Sequence, residues 1–565
     1  MLRVWNVTLV ILTFFLTIFG TFMTRSGVVH SVHAFGDDPI LAKHFMIFMV
    51  AILTFSFGLV IYRLPLLRAR NELDSWISRE AAFLVNNWIL VFCAIFVLFA
   101  TMFPTLSEAV TGERLTVGPP FFNKWMLPMG LVLLFLTGLG PLLAWRKSTL
   151  TNIRDQFLWP TLSAVATAAA LLAVGLREWA PLTCFGFSAF VIVTITQEFW
   201  RGAIVRRKNT GTDLLTALIG LVGRNKRRYG GYIVHVGIVL IFLGFAGNAY
   251  KRDEQVLLQP GQQMTIGRYT LRNDGVKLND DGQKEMVTAY IAVFEKGKQL
   301  DTMYPARWYF RRHENEPTTE VAIRRSIAED LYVVLAADRK SLATQAASLQ
   351  VVVNPLVDWI WLGFGVLAFG TGIALLPERA YSFALARMPA NAVTTTIAVL
   401  LAILLGGGTT LFAQHAAAST DSSDDVRTSF YARNALERQL QHEIVCTCGT
   451  CGHTNIAECR KDACGVSHRM RGELAALVDQ SKSHDEIIQS FVTKYGSEEM
   501  LGAPLNKGFN RLAWLVPYLI GATGIVLVGF AAKKWTRRPE LTAQPAAPAD
   551  SALEGRLDDE LRDLD

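Results

Sequence analysis

Long apolar runs separated by short polar ones dominate the chain. They lie near 4–23, 45–62, 82–103, 125–145, 160–176, 180–199, 231–249, 355–376, 393–413 and 511–532. At about 1.5 Å of rise per residue each can cross a hydrocarbon core of about 30 Å. The pattern predicts about ten transmembrane helices, the fifth being short and the one expected to be interfacial or re-entrant. Two intervals break it. Between 250 and 354, short β-rich runs (Gln255 to Leu258, Met264 to Leu271, Met286 to Phe294, Leu331 to Leu335) are separated by the turn signals Pro260-Gly261, Asp281-Gly282 and Lys296-Gly297, which predicts a small, mostly antiparallel β-domain. Between 425 and 500 the apolar period becomes helical, over Arg427 to His442, Val466 to Val478 and Asp485 to Tyr495. Ser483 and Glu486 have the spacing of a capping box. A three-helix bundle is expected there.

Composition agrees with a membrane protein: 51% of the 565 residues are hydrophobic and 18% charged. The net charge of +7 would suggest nucleic acid in a water-soluble chain. Here Lys and Arg gather at the ends of apolar runs: at Arg63 to Arg79, Arg146 to Arg154, Arg201 to Arg228, Arg379 to Arg387 and Lys533 to Arg538. Alternate loops carry them, so the positive-inside rule accounts for the charge and no nucleic-acid partner is called for. Both termini are then cytoplasmic, and 24–44, 104–124, 250–354 and 414–510 lie outside. Val4 to Met23 is too long for a signal-peptide core and lacks a small-residue cleavage site, so it is read as a retained span. The expected organisation is a seven-span core (1–249), the β-domain (250–354), two further spans (355–413), the outer helical domain (414–510), an anchor (511–532) and a disordered cytoplasmic tail (533–565). Within the β-domain, Arg307, Arg311, Arg312, Arg324 and Arg325 read as a solvated face or as a contact for an acidic ligand.

Thiols are concentrated in the outer helical domain. Five of seven cysteines, Cys446, Cys448, Cys451, Cys459 and Cys464, fall together, whereas Cys93 and Cys184 sit singly in apolar runs. Cys448 and Cys451 have the spacing of a redox dithiol. The same cysteines with His453 can supply four zinc ligands, and a structural disulfide is the third reading. An outside, oxidising location favours redox use. Among ten histidines, His235 is the one deep within a clear span, where an ionisable group is costly and marks function, whether as metal or haem ligand, proton relay or partner of a neighbouring helix. His30 and His33, just outside the first span, read equally as ligands or as polar interface residues. His313, His415, His442, His468 and His484 read as ordinary surface residues.

The stretches Thr24-Arg25-Ser26-Gly27-Val28-Val29-His30-Ser31-Val32-His33-Ala34-Phe35 and Gly230-Gly231-Tyr232-Ile233-Val234-His235-Val236-Gly237 closely resemble the CcmF family, the membrane haem lyase subunit of system I cytochrome c maturation. The similarity runs from residue 1 to about 380. It implies that His33 helps to ligate the transient haem substrate and that His235 helps to ligate a resident haem b, with His30 a bystander. It also implies a partner: full-length members carry a preceding half with a tryptophan-rich WWD motif and the opposite axial histidines, which this chain lacks. Residues from about 414 to 532 resemble a CcmH-type thiol reductase with a Leu-x-Cys-x-x-Cys motif. Its counterpart here is Ile444-Val445-Cys446-Thr447-Cys448-Gly449-Thr450-Cys451, an irregular version in which Cys448 and Cys451 keep the spacing, leaving Cys459 and Cys464 for a second disulfide.

The resemblance implies formation of thioether bonds between haem vinyl groups and the two thiols of an apocytochrome c CxxCH site, in a bacterial inner membrane, with Cys446, Cys448 and Cys451 keeping those thiols reduced. A WWD-bearing half, a haem-delivery chaperone, apocytochrome c and membrane lipid are the expected partners. Two rivals remain from the residues alone: a membrane thiol-disulfide relay without haem, and a transporter with a zinc-binding outer domain.

Overall fold

The computed structural model describes residues 3–26, 39–67, 78–115, 117–143, 150–311, 317–336, 341–376, 434–447, 455–457, 465–496 and 500–536. The chain is a multi-pass α-helical membrane protein with a β-rich domain, and nine described helices are long and apolar enough to span. The first part runs α1 (Arg3–Arg25), α2 (Pro39–Tyr62), the single turn α3 (Leu64–Leu67), α4 (Arg79–Thr111), α5 (Pro119–Leu142), α6 (Leu150–Ala173), α7 (Trp179–Thr210), the short α8 (Leu214–Arg224) and α9 (Lys226–Gly247). The expected span at 393–413 lies outside the described residues. The fifth span is not short. Asp155 and Gln156 lower the hydropathy of its first half, but Gln156 is served there by Arg201, which donates to it at 2.8 Å, and α6 continues as a 24-residue helix.

A β-sandwich follows α9: β1 (Arg252–Leu258), β2 (Gln263–Ile266), β3 (Tyr269–Asp280), β4 (Lys284–Glu295), β5 (Lys298–Met303), β6 (Ala306–Phe310), β7 (Thr318–Glu320), β8 (Ala322–Arg324), β9 (Glu329–Leu335), the turn α10 (Ser341–Thr344) and β10 (Ala347–Pro355). One sheet has the order β1-β10-β9-β8; the other runs β2-β3-β4-β6-β7, with β5 also on β4. Their inner faces share one core, in which Leu331, Val333, Leu349 and Val351 meet Tyr269, Leu271, Val287 and Ile291. Lys296 and Gly297 both take positive φ in the β4–β5 turn, the requirement of a tight hairpin. The run Met264 to Leu271 is two strands, because Gly267 (φ +58°) turns the chain back. Arg307 is only 3% exposed, so it does not belong to a solvated face; it pairs with Val287 and Thr319 inside the larger sheet.

From β10 the chain enters α11 (Asp358–Leu375), which packs on α9 more closely than any other helix pair. Glycines at a seven-residue interval make this possible. A Cβ at Gly237 would stand 2.6 Å from the Gly363 carbonyl oxygen, and one at Gly370 would stand 2.8 Å from that of Gly230. The helical domain comprises α12 (Ala435–Glu443), α13 (Gly465–Asp479) and α14 (His484–Tyr495), and the last described span is α15 (Arg511–Thr536). The capping box of Ser483 and Glu486 is present. Leu440, Met470, Leu474, Ile487 and Phe491 fill the core of the bundle.

Candidate functional site

The cysteine segment begins where α12 ends. Beyond Glu443 the backbone becomes extended, and Ile444 and Val445 are held from both sides: Val445 donates to the Met500 carbonyl at 2.6 Å, and the Ile456 amide donates back to Ile444 at 2.8 Å. Val445 and Asn455 form a bridge, so the described chain leaves at Thr447 and resumes beside its point of departure. Cys446 is 3% exposed and packs in the bundle core. Thr447 faces outward, with its hydroxyl donating to the Met470 sulfur at 3.8 Å. Cys448, Cys451, His453, Cys459 and Cys464 lie outside the described residues. So does His33.

Behind the cysteine segment sits a pair that its sequence position does not announce. His484, read from sequence as a surface residue, opens α14; its Nε2 lies 2.6 Å from Glu443 Oε2 and its Nδ1 3.1 Å from Asp485 Oδ1. Burial works against its protonation, but the hydrogen bonds to Asp485 and Glu443 and their charges prevail and raise its pKa above the ordinary imidazole value.

Glu443 also links the bundle to the membrane helices. Its carbonyl accepts from the Gly502 amide at 2.6 Å, and the Gly502 carbonyl accepts from Gly118, in the α4–α5 turn, at 2.7 Å. An aromatic seam extends this contact: Phe103 stacks on Phe509 at 6.3 Å, Phe121 meets Trp514 edge-on at 4.9 Å, and Trp125 meets Tyr518 at 4.7 Å. The Lys124 ammonium lies 4.3 Å from the Trp514 ring centre. Neither Gly118 nor Gly502 stood out in the sequence, because a backbone-to-backbone contact leaves no side-chain signature.

His235 lies in α9, two positions before Gly237 and so about 200° around the helix from it. The glycine face is closed by α11, and the imidazole projects from the other side. Its Nδ1 is buried and has no hydrogen-bond partner among the described residues. An imidazole buried in a span with an unpaired nitrogen is costly, which marks His235 as a position for a ligand or a further chain. His44, the other histidine in the described spans, is exposed and keeps its Nδ1 2.7 Å from its own Ile40 carbonyl. Toward the other end of α9, Arg228 pairs with Glu198 at 2.7 Å and donates to the Tyr232 hydroxyl at 3.0 Å, tying α9 to α7. No group of three or more His, Cys, Asp or Glu that could hold a metal ion occurs among the described residues.

Comparison with known proteins divides the chain in two. Residues 249–355 match a family described as the CcmF C-terminal beta-sandwich, and residues 408–559 match CcmH, described as a cytochrome C biogenesis protein. The cytochrome c-type biogenesis protein CcmF of Pseudomonas aeruginosa is 31% identical over 378 residues, 66% of this chain and 55% of that protein. CycK of Rhizobium meliloti is 30% identical over 382 residues, covering 67% and 55%, and CcmF of Escherichia coli is 27% identical over 380, covering 67% and 56%. The chain spans about half the length of these relatives. A solved structure, the cytochrome c heme lyase CcmF, shares the fold with a TM-score of 0.51 at 22% identity over 66% of this chain and 55% of that one.

Proposed function

With CcmF-type membrane helices and β-sandwich joined to a CcmH-family segment, we propose that this chain is one part of a haem lyase for c-type cytochromes that carries its own thiol reductase. The observation that carries the reading is the seating of the cysteine-bearing bundle on the α4–α5 turn through Glu443, Gly502 and Gly118. On this reading the seating would keep a reductant near the membrane helices that would receive haem, and so raise its effective concentration there.

Cys448 and Cys451 perform the exchange. One thiolate attacks an apocytochrome disulfide to give a mixed disulfide; the second displaces it, leaving two substrate thiols and an oxidised Cys448–Cys451 pair that an external dithiol must re-reduce. Cys446, placed in the core, supports the segment and takes no part. Each freed S–H then adds across a haem vinyl group, forming one C–S bond and one C–H bond without net oxidation. His33 holds the haem substrate outside the membrane. His235 would help to hold a resident haem b, which when bound would supply electrons to the haem awaiting attachment.

The chain works in the bacterial inner membrane with both termini cytoplasmic and both outer domains outside. Its partners are a WWD-bearing polypeptide, a haem-delivery chaperone, apocytochrome c and membrane lipid. The test is production of holocytochrome c in cells stripped of their own lyase. The chain together with a WWD-bearing half should restore covalent haem staining, and an impermeant thiol reagent should label the 446–464 cysteines in intact spheroplasts after mild reduction. Labelling only after lysis, or no haem attachment, overturns the reading.

A further inference from the structure

A cavity of about 710 Å³ opens where the outer ends of α5, α7, α9 and α11 meet the end of β10. That is within the roughly 300–1,000 Å³ of sites that enclose small ligands. Its wall is mostly hydrocarbon, from residues such as Leu131, Phe242 and Ile360, and its polar residues include Asn123, Asn248 and Asn354. The thiol of Cys184, also in the wall, donates to the Phe242 carbonyl at 3.5 Å.

Two features define the ligand. Among the described residues, no charged side chain lines the cavity, so an anionic group taken inside would be buried without a partner, at a cost that disfavours carboxylates and phosphates there. Leu127 and Phe245 stand in its wall at 47% and 61% exposure, an edge suited to contact with hydrocarbon, while Asn123 and Asn248, also exposed, offer amide donors beside them. An apolar interior with an apolar entrance and neutral donors at one side matches a long chain ending in an uncharged acceptor. We propose that the cavity takes one acyl chain of a membrane phospholipid, with its ester carbonyls accepting from the asparagine amides and its charged headgroup left outside. The chain would fill the space between the spans and the sandwich, because Asn354 and Pro355 of β10, and Val357 and Ile360 at the start of α11, all contribute to the wall. This assignment does not depend on the lyase reading.

The test is retained phospholipid in the purified full-length protein after exhaustive exchange into a non-phospholipid detergent, measured by native mass spectrometry and by lipid extraction. Wild type should keep a single phospholipid per chain. Ala180→Trp, which places an indole in the cavity, should lower retention by about tenfold or more with an unchanged melting temperature. Leu127→Trp, at the edge, carries the same comparison if Ala180→Trp fails to fold. Wild type that retains no phospholipid, equal retention in a folded cavity-filling variant, or a haem pigment displaced by the filling in place of lipid would each overturn the assignment.

Discussion

Cys446 and Thr447 are neighbours with opposite surroundings, and the difference sorts the cysteines by chemistry. The nucleophile in exchange is the thiolate, which burial disfavours, so a thiol 3% exposed in a packed core is poorly placed to react. Cys446→Ala should therefore cost about 1 kcal/mol of stability, the scale of one lost buried methyl-sized group, and leave holocytochrome formation intact. Cys448→Ser or Cys451→Ser should leave melting unchanged and stop maturation unless a small thiol reductant is added. Full activity in either serine variant without reductant would remove the dithiol from the mechanism. His484 adds a pH dependence. Its raised pKa means that its protonated form, held by Glu443 and Asp485, stabilises the folded bundle below the ordinary imidazole value, and that this contribution fades as pH rises through the elevated one. In the whole 565-residue chain, hydrogen exchange at Ile444 to Cys446 should be slower at about pH 6 than at about pH 8.5, after correction for intrinsic rates. His484→Asn should flatten the difference; an unchanged difference in that variant would assign it to another group.

At the scale of elements, the membrane helices, the β-domain, the helical bundle and the capping box were legible because each rests on a local pattern: apolar length, turn dipeptides, helical period. What the sequence concealed depends on partners distant in the chain. Leu349 to Val353 is a central strand of the sandwich, between β1 and β9, yet it lies only a few residues from the next span, and its place between those two strands depends on partners far away in the chain. Arg307 belonged by composition to a charged patch and by pairing to a sheet interior. Of the candidate site, the CxxC spacing and a histidine within a span are visible in the sequence, but the pinning of Val445 between Met500 and Asn455 is not. The α9–α11 contact is intermediate, since glycines seven apart suggest a helix interface without naming the partner. Gly237→Val should force the pair apart, because its Cβ would meet the Gly363 carbonyl at 2.6 Å; a loss of about 1–3 kcal/mol or more is expected. Gly365→Ala, with open space around it, is the control and should melt with wild type. Equal melting of both variants would mean that the helices can separate at no cost.

Across the whole molecule, the decisive asymmetry is between one imidazole with an orphaned nitrogen and, among the described spans, no second imidazole placed to face it. His235 has its Nδ1 buried without a partner, and His44 is exposed and engaged with its own helix. On the proposed reading His235 would supply one ligand of a resident haem and the WWD-bearing polypeptide the other. The chain purified alone should then be poor in haem. Its α9 region should also be the less stable for it, because a buried polar group without a partner costs roughly 1–3 kcal/mol. Co-expression with a WWD-bearing half should restore a low-spin, bis-histidine haem b spectrum. His235→Ala should abolish that spectrum, whereas His33→Ala should preserve it and impair only capture of the haem to be transferred. A full complement of haem on the lone chain, or a reconstituted spectrum indifferent to His235→Ala, would place the resident haem elsewhere and leave the orphaned nitrogen of His235 to a contact with a neighbouring helix.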